Sequence, residues 1–191
     1  MKNKLLIALL IVITTGMVAA HAQRTPEEMI TLYFDAFKAG NYELMSANMH
    51  ADELAKLQKE LLPVVARGID AAQSGATKDE LAMKLFADSE SYEVISKESP
   101  EAFFIRFMNW LNRMNPMMKN TLAGSSIATV GHVTEGDLAH VVYRVSVNIA
   151  GTRMTQLNVM SVKKDGEDWK LMMSGEIEGM GKLLQRDAPK F

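Results

Sequence analysis

Three side chains in the last third of this 191-residue chain, Tyr143, Gln156 and Asn158, are of types that orient a small molecule. A phenol and two amides offer donors and acceptors and carry no charge at neutral pH. Whether they meet is a question of strand register. Leu138 to Ile149 reads LAHVVYRVSVNI, in which Val141, Tyr143, Val145, Val147 and Ile149 alternate with Val142, Arg144, Ser146 and Asn148. That period of two is the pattern of a half-buried strand. Ala150-Gly151 then makes a tight turn and Arg153 to Lys163 returns. A two-residue loop sets Val145 opposite Gln156, Tyr143 opposite Asn158 and Val141 opposite Met160, with Met154 on the same side. Trp169, Leu171 and Met173 on the last strand would join that face. An apolar concavity with a few convergent polar groups is the usual form of a small-ligand site. The competing reading is that the amides bond within the sheet or at a helix end, as buried polar groups normally do. A three-residue loop would turn Gln156 and Asn158 to the other face.

Other chemistry finds less support. His50, His132 and His140 have no histidine or carboxylate at ligand spacing on the same element, so no zinc site and no other metal centre or cofactor is expected. His50 and Asp52 stand two apart, and such residues do not face each other on a helix. His50 reads instead as a turn residue ahead of a helix. There is no cysteine, which removes thiol chemistry, and no serine in a G-x-S-x-G elbow. Met114, Met117 and Met118 bring three of the fifteen methionines close together. Soft thioethers can hold copper, but methionine is also an ordinary core filler, and the rest are scattered through periodic apolar positions.

The elements that must position these residues are helices first and strands after. In TPEEMITLYFDAFKAGNYE, Thr25 to Glu43, Thr25 and Glu28 form a capping box, Pro26 suits the first helical position, and Gly40 can take the left-handed stop. Met29, Ile30, Tyr33, Phe34 and Phe37 give one buried stripe. Asn41 caps a short second helix. A leucine-rich helix follows Asp52, with Pro63 expected to kink or break it and Gly68 to Gly75 to end it. Thr77 and Glu80 signal a further capped helix, so the helical segment extends over about residues 52–90. Ser99-Pro100-Glu101 opens the strongest helix, with Phe103, Phe104, Phe107, Trp110, Leu111 and Met114 on one face. From Ser125 the period becomes alternating, with Ile127 to Thr134 as the first strand and Trp169 to Gly175 as the last. The result is an α+β fold in which N-terminal helices pack on a curved, mainly antiparallel four-stranded sheet.

The first 22 residues read as an export signal. Lys2 and Lys4 precede the apolar run Leu5 to Ile13, and Ala20-His21-Ala22 is a small-x-small cleavage site. The run is shorter than the ~20 residues a spanning helix needs, so no membrane anchor is expected to remain after cleavage. Residues 23–191 are then a single domain, periplasmic or secreted. Removing Lys2 and Lys4 leaves 19 basic against 23 acidic residues, a balance that argues against nucleic acid as a partner. Without cysteine the exported fold must rest on its core.

The opening helix and VSVKKDGEDWKLMM near the end, with a sheet of the right sense between them, resemble the nuclear transport factor 2-like superfamily. That superfamily is the cone-shaped α+β barrel of steroid delta-isomerases, SnoaL-like polyketide cyclases and many binding modules. The resemblance implies fold and not activity. The isomerases' catalytic tyrosine corresponds to Tyr33, seven residues before Gly40. Their second oxyanion donor, an aspartate, corresponds to Met160, and a thioether cannot donate that hydrogen bond. Their general base falls in a segment replaced here by the leucine-rich helix. Isomerase chemistry is therefore not carried over, and Tyr33 becomes a core or pocket-wall aromatic.

The expectation is an exported, non-enzymatic binding domain that holds a small apolar or amphipathic ligand, lipids included, between sheet and helices. Tyr33, Phe104, Phe107, Trp110, Tyr143, Met160 and Met173 would form the walls, and Gln156 and Asn158 would orient the ligand. Two alternatives stand beside it. One is a homodimeric interaction module using the outer sheet face, with His140, Val142, Arg144 and Leu157. The other is a cyclase, isomerase or hydrolase on the same scaffold, which would need an acid–base pair inside.

Overall fold

A computed structural model describes residues 23–73, 92–114, 121, 123–149, 151–173, 175 and 179. The first helix, α1 (Pro26–Ala39), begins as its sequence dictates. The Thr25 hydroxyl accepts from the Glu28 amide at 3.2 Å, and Glu28 Oε2 accepts from the Thr25 amide at 2.7 Å, so two orphan donors are satisfied reciprocally. Gly40 ends it at φ 69°, a conformation that costs a residue without Cβ little. Asn41 caps α2 (Tyr42–Asn48), its side chain accepting from the Leu44 amide at 2.9 Å.

The third helix corrects one expectation, the break at Pro63, and ends within the Gly68 to Gly75 span anticipated for it. α3 (Ala51–Gln73) runs through Pro63 and through Gly68 without a break. A helix-interior proline normally costs ~3 kcal/mol. Here the row Leu54, Leu57, Leu61, Val64 and Val65, each 3% exposed or less, holds the helix against its neighbours across that position. The Thr77–Glu80 capping box and its helix lie outside the described residues, as do Met117 and Met118. A short helix without a strong sequence signal, α4 (Tyr92–Ser96), precedes α5 (Pro100–Met114), the strong helix anticipated after Ser99.

Four strands follow: β1 (Ser126–Glu135), β2 (Leu138–Ile149), β3 (Thr152–Asp165) and β4 (Asp168–Leu171). They form one antiparallel sheet in the order β1-β2-β3-β4, open rather than closed into a barrel. The last strand is shorter than Trp169 to Gly175, ending at Leu171. There the chain leaves the ladder: Leu171 carbonyl accepts from the His50 amide at 2.8 Å, and Met49 bridges Leu171 in parallel sense, covering the β4 edge. Covering an edge in this way removes a template for unwanted strand pairing.

α1 lies on the sheet, fastened to β1 at both ends. Glu27 meets His132 at 2.6 Å, and Lys38 Nζ donates to the Ser125 carbonyl at 3.0 Å. α5 makes its closest backbone approaches to α2 and α3 rather than to the strands. One apolar core runs through both interfaces, with Phe103, Phe104 and Phe107 fully buried in the helical part and Ala139, Val141, Val162 and Leu171 fully buried on the sheet. Each of the larger side chains among them contributes ~1.5–3 kcal/mol on burial, which is how a chain without disulfides holds together.

Candidate ligand-binding face

The register of the β2–β3 hairpin decides which side chains can act together. The Ile149–Thr152 pair closes a two-residue loop, with Gly151 at φ 81°. Tyr143 then pairs with Asn158, Val145 with Gln156 and Val141 with Met160. Directly opposed residues in an antiparallel pair project to the same side, so the phenol, both amides and both methionines, Met154 and Met160, share the face on which α1 lies. The expected arrangement of these strands is present.

That face is unevenly covered. Near the β1–β2 turn it is sealed, with Ala139, Val141 and Val162 at 0% exposure and Met160 at 5%. Tyr143, 4% exposed, packs its ring against Phe34 at 5.2 Å, and Tyr33 meets Phe34 edge-on at the same distance. Toward the β2–β3 loop the cover ends: Val145, Val147 and Asn158 are half-buried, Gln156 is exposed and Met154 is 56% exposed. The amides bond to each other, Gln156 Nε2 donating to Asn158 Oδ1 at 3.0 Å. Part of the competing reading is therefore present as well, since the pair is satisfied at one junction within the sheet. The outer ends of the pair keep a donor and an acceptor directed away from that junction.

The remaining sequence candidates divide. Tyr33 and Met160 sit with Tyr143 in the layer between α1 and the sheet, while Met173, just beyond β4, packs half-buried against the core. Phe104, Phe107 and Trp110 belong to the helical layer. They are 0, 0 and 3% exposed, with Phe107 stacked on Trp110 at 5.7 Å between centroids. These rings fill space among the helices. The Trp110 indole N–H and the Ser46 hydroxyl are buried there without a hydrogen-bond partner among the described residues.

Sequence reasoning missed two polar arrangements. His132 and Glu27, 105 positions apart, form a pair whose hydrogen bond holds the Glu27 carboxyl below its ordinary value. No local pattern announces a contact of that separation. A groove of ≈ 400 Å³ lies along the other side of α5, with Ala102 and Ile105 between Glu98 and Asn109. Glu98 grips Arg106 through two oxygens, at 3.1 and 3.2 Å from Nε, so the charges at that end answer each other. Among the described residues no three histidine, aspartate or glutamate side chains gather where a metal ion could be held. No described helix is long and apolar enough to cross a membrane.

The fold and the site together define an α+β domain with helices packed on a four-stranded antiparallel sheet, compatible with the cone-shaped architecture named above. Comparison with protein-family models and with curated proteins returns no match for this chain.

Proposed function

We propose that this chain is an exported, non-enzymatic binding domain of nuclear transport factor 2-like type. Its ligand is a small apolar or amphipathic molecule held on the inner face of the sheet beside the helices. The observation that carries this reading is the uncovered half of that face. Tyr143, Val145, Val147, Met154, Gln156 and Asn158 stand on one side of a single hairpin, and exposure rises from 4% at Tyr143 to 56% at Met154. Apolar surface left at the rim of a core, next to neutral hydrogen-bonding groups, favours a ligand with a greasy body and a polar tip. An acid–base pair is not among these side chains, so turnover is not part of the proposal. The leader at residues 1–22, cleaved after Ala22, would deliver the domain to the periplasm or the exterior.

The test is to express the full chain with its leader, purify the exported protein gently, and record native mass spectra followed by organic extraction. A reproducible co-purifying small molecule, displaced on denaturation, is the expected result. Protein that arrives empty and takes up no lipid from a total extract would overturn the reading.

A second reading has its own observation. On the outer face Val133, Leu157 and Val159 are 61, 58 and 62% exposed around the half-buried Val142, with Arg144 beside them. A second copy of this chain pairing through that face would bury them. A mass that doubles with concentration in sedimentation would support this, and a constant monomer mass would remove it.

A further inference from the structure

The open half of the inner face also carries information about the head of its ligand, granted that a ligand binds there. The ionisable side chains of that face stand at its far end: His132 engaged with Glu27, and Lys164 with its Nζ 5.3 Å from the centre of the Trp169 ring. Around the open half the alternation places Arg144 and Arg153 on the opposite side of the sheet, and Lys38 is bound to the Ser125 carbonyl on the β1 flank. The strand side chains of that face from Val145 to Met154 therefore carry no charge of either sign, and the cation on its β1 flank, Lys38, is already engaged with a carbonyl. It presents the Gln156–Asn158 amide pair. One junction of the pair is closed, which leaves an amide N–H at the Asn158 end and an amide carbonyl at the Gln156 end without partners among the described residues.

We infer that this face selects neutral amphipathic molecules whose head carries both a hydrogen-bond donor and an acceptor, such as acyl amides or monoacylglycerols, over fatty acids and anionic phospholipids. An ionic head laid on a half-buried apolar surface loses part of its hydration and gains no counter-charge in return. A neutral head of matched donors and acceptors exchanges water for the two amides at little cost. A site built to hydrogen-bond its ligand also discriminates by leaving its own groups unpaired when the wrong head binds.

The experiment measures binding of four probes with the same acyl chain to the purified chain by calorimetry: a monoacylglycerol, a primary fatty amide, the free fatty acid and the phosphatidylglycerol. The two neutral probes should bind at least ten-fold more tightly than the two anions, at both low and moderate salt. In the double variant Gln156→Met, Asn158→Leu, whose changes fall at one exposed and one half-buried position and keep side-chain size, that ratio should fall toward one while binding of the tail persists. Anions binding as tightly as the neutral probes, or a ratio unchanged in the double variant, would overturn the head selection and leave the binding reading standing. Failure of all four probes to bind would remove both.

Discussion

The two halves of the inner sheet face are built from the same strands and differ in what lies on them. Near the β1–β2 turn, α1 and the chain around β4 seal Ala139, Val141, Val162 and Leu171 to 0% exposure. Near the β2–β3 loop the same alternation leaves Gln156 exposed and Met154 56% exposed. The sealed half and the helical layer behind it supply stability, because apolar area removed from water is the main favourable term in folding. The open half contributes little to that and is where a second molecule can still gain by burial. The separation also accounts for Phe104, Phe107 and Trp110: strong aromatic signals in the sequence, spent on holding helices together.

The largest effect should come from the helical layer. Phe104→Ala removes a fully buried ring from a packed cluster and is expected to lower unfolding free energy by ~3–5 kcal/mol, the usual cost of such a cavity. Chemical denaturation measures this. A loss under ~1 kcal/mol would mean that the ring borders a space able to collapse or to admit a ligand, which would blur the contrast between the two halves.

A smaller effect should come from the clasp that holds α1 over the sealed half. The hydrogen bond from His132, opposed by partial burial, keeps the Glu27 carboxyl below its ordinary value of 4.5. A depressed carboxylate stabilises the fold above its unfolded-state value, and that contribution disappears as pH falls through the lowered folded value. Glu27→Gln should therefore cost on the order of 0.2–1 kcal/mol at neutral pH, as for other partly exposed pairs. It should also flatten the loss of stability on acidification below about pH 4.5. Thermal melts of both proteins across that range provide the comparison. Parallel acid limbs would show that Glu27 does not fasten α1.

The parts of the molecule legible in the sequence were those set by local rules. Thr25, Pro26 and Gly40 mark the limits of α1 through capping and a left-handed stop. The two-residue loop at Gly151 fixes the pairing of Tyr143 with Asn158 through period-two arithmetic. The illegible parts depend on contacts made at a distance. Pro63 breaks isolated helices, and whether it breaks this one is decided by packing along Leu57, Leu61 and Val64. Phe104 and Phe107 show a stripe, and a stripe does not say whether its partner is a sheet or another helix. Likewise, alternation places Gln156 and Asn158 on the inner face and says nothing of how far α1 reaches along it. The Glu27–His132 clasp joins residues no local pattern connects.

The claim that a ligand lies on the open half of the sheet is tested most directly by methionine methyl NMR. Methionines stand in every region: Met154 on the open half, Met160 in the sealed half beside it, Met45 and Met108 in the helical layer. Titrating a monoacylglycerol into methyl-labelled protein should shift Met154 most and Met160 next, saturably, with Met45 and Met108 unmoved. Shifts confined to Met45 and Met108 would place the ligand among the helices and contradict the account.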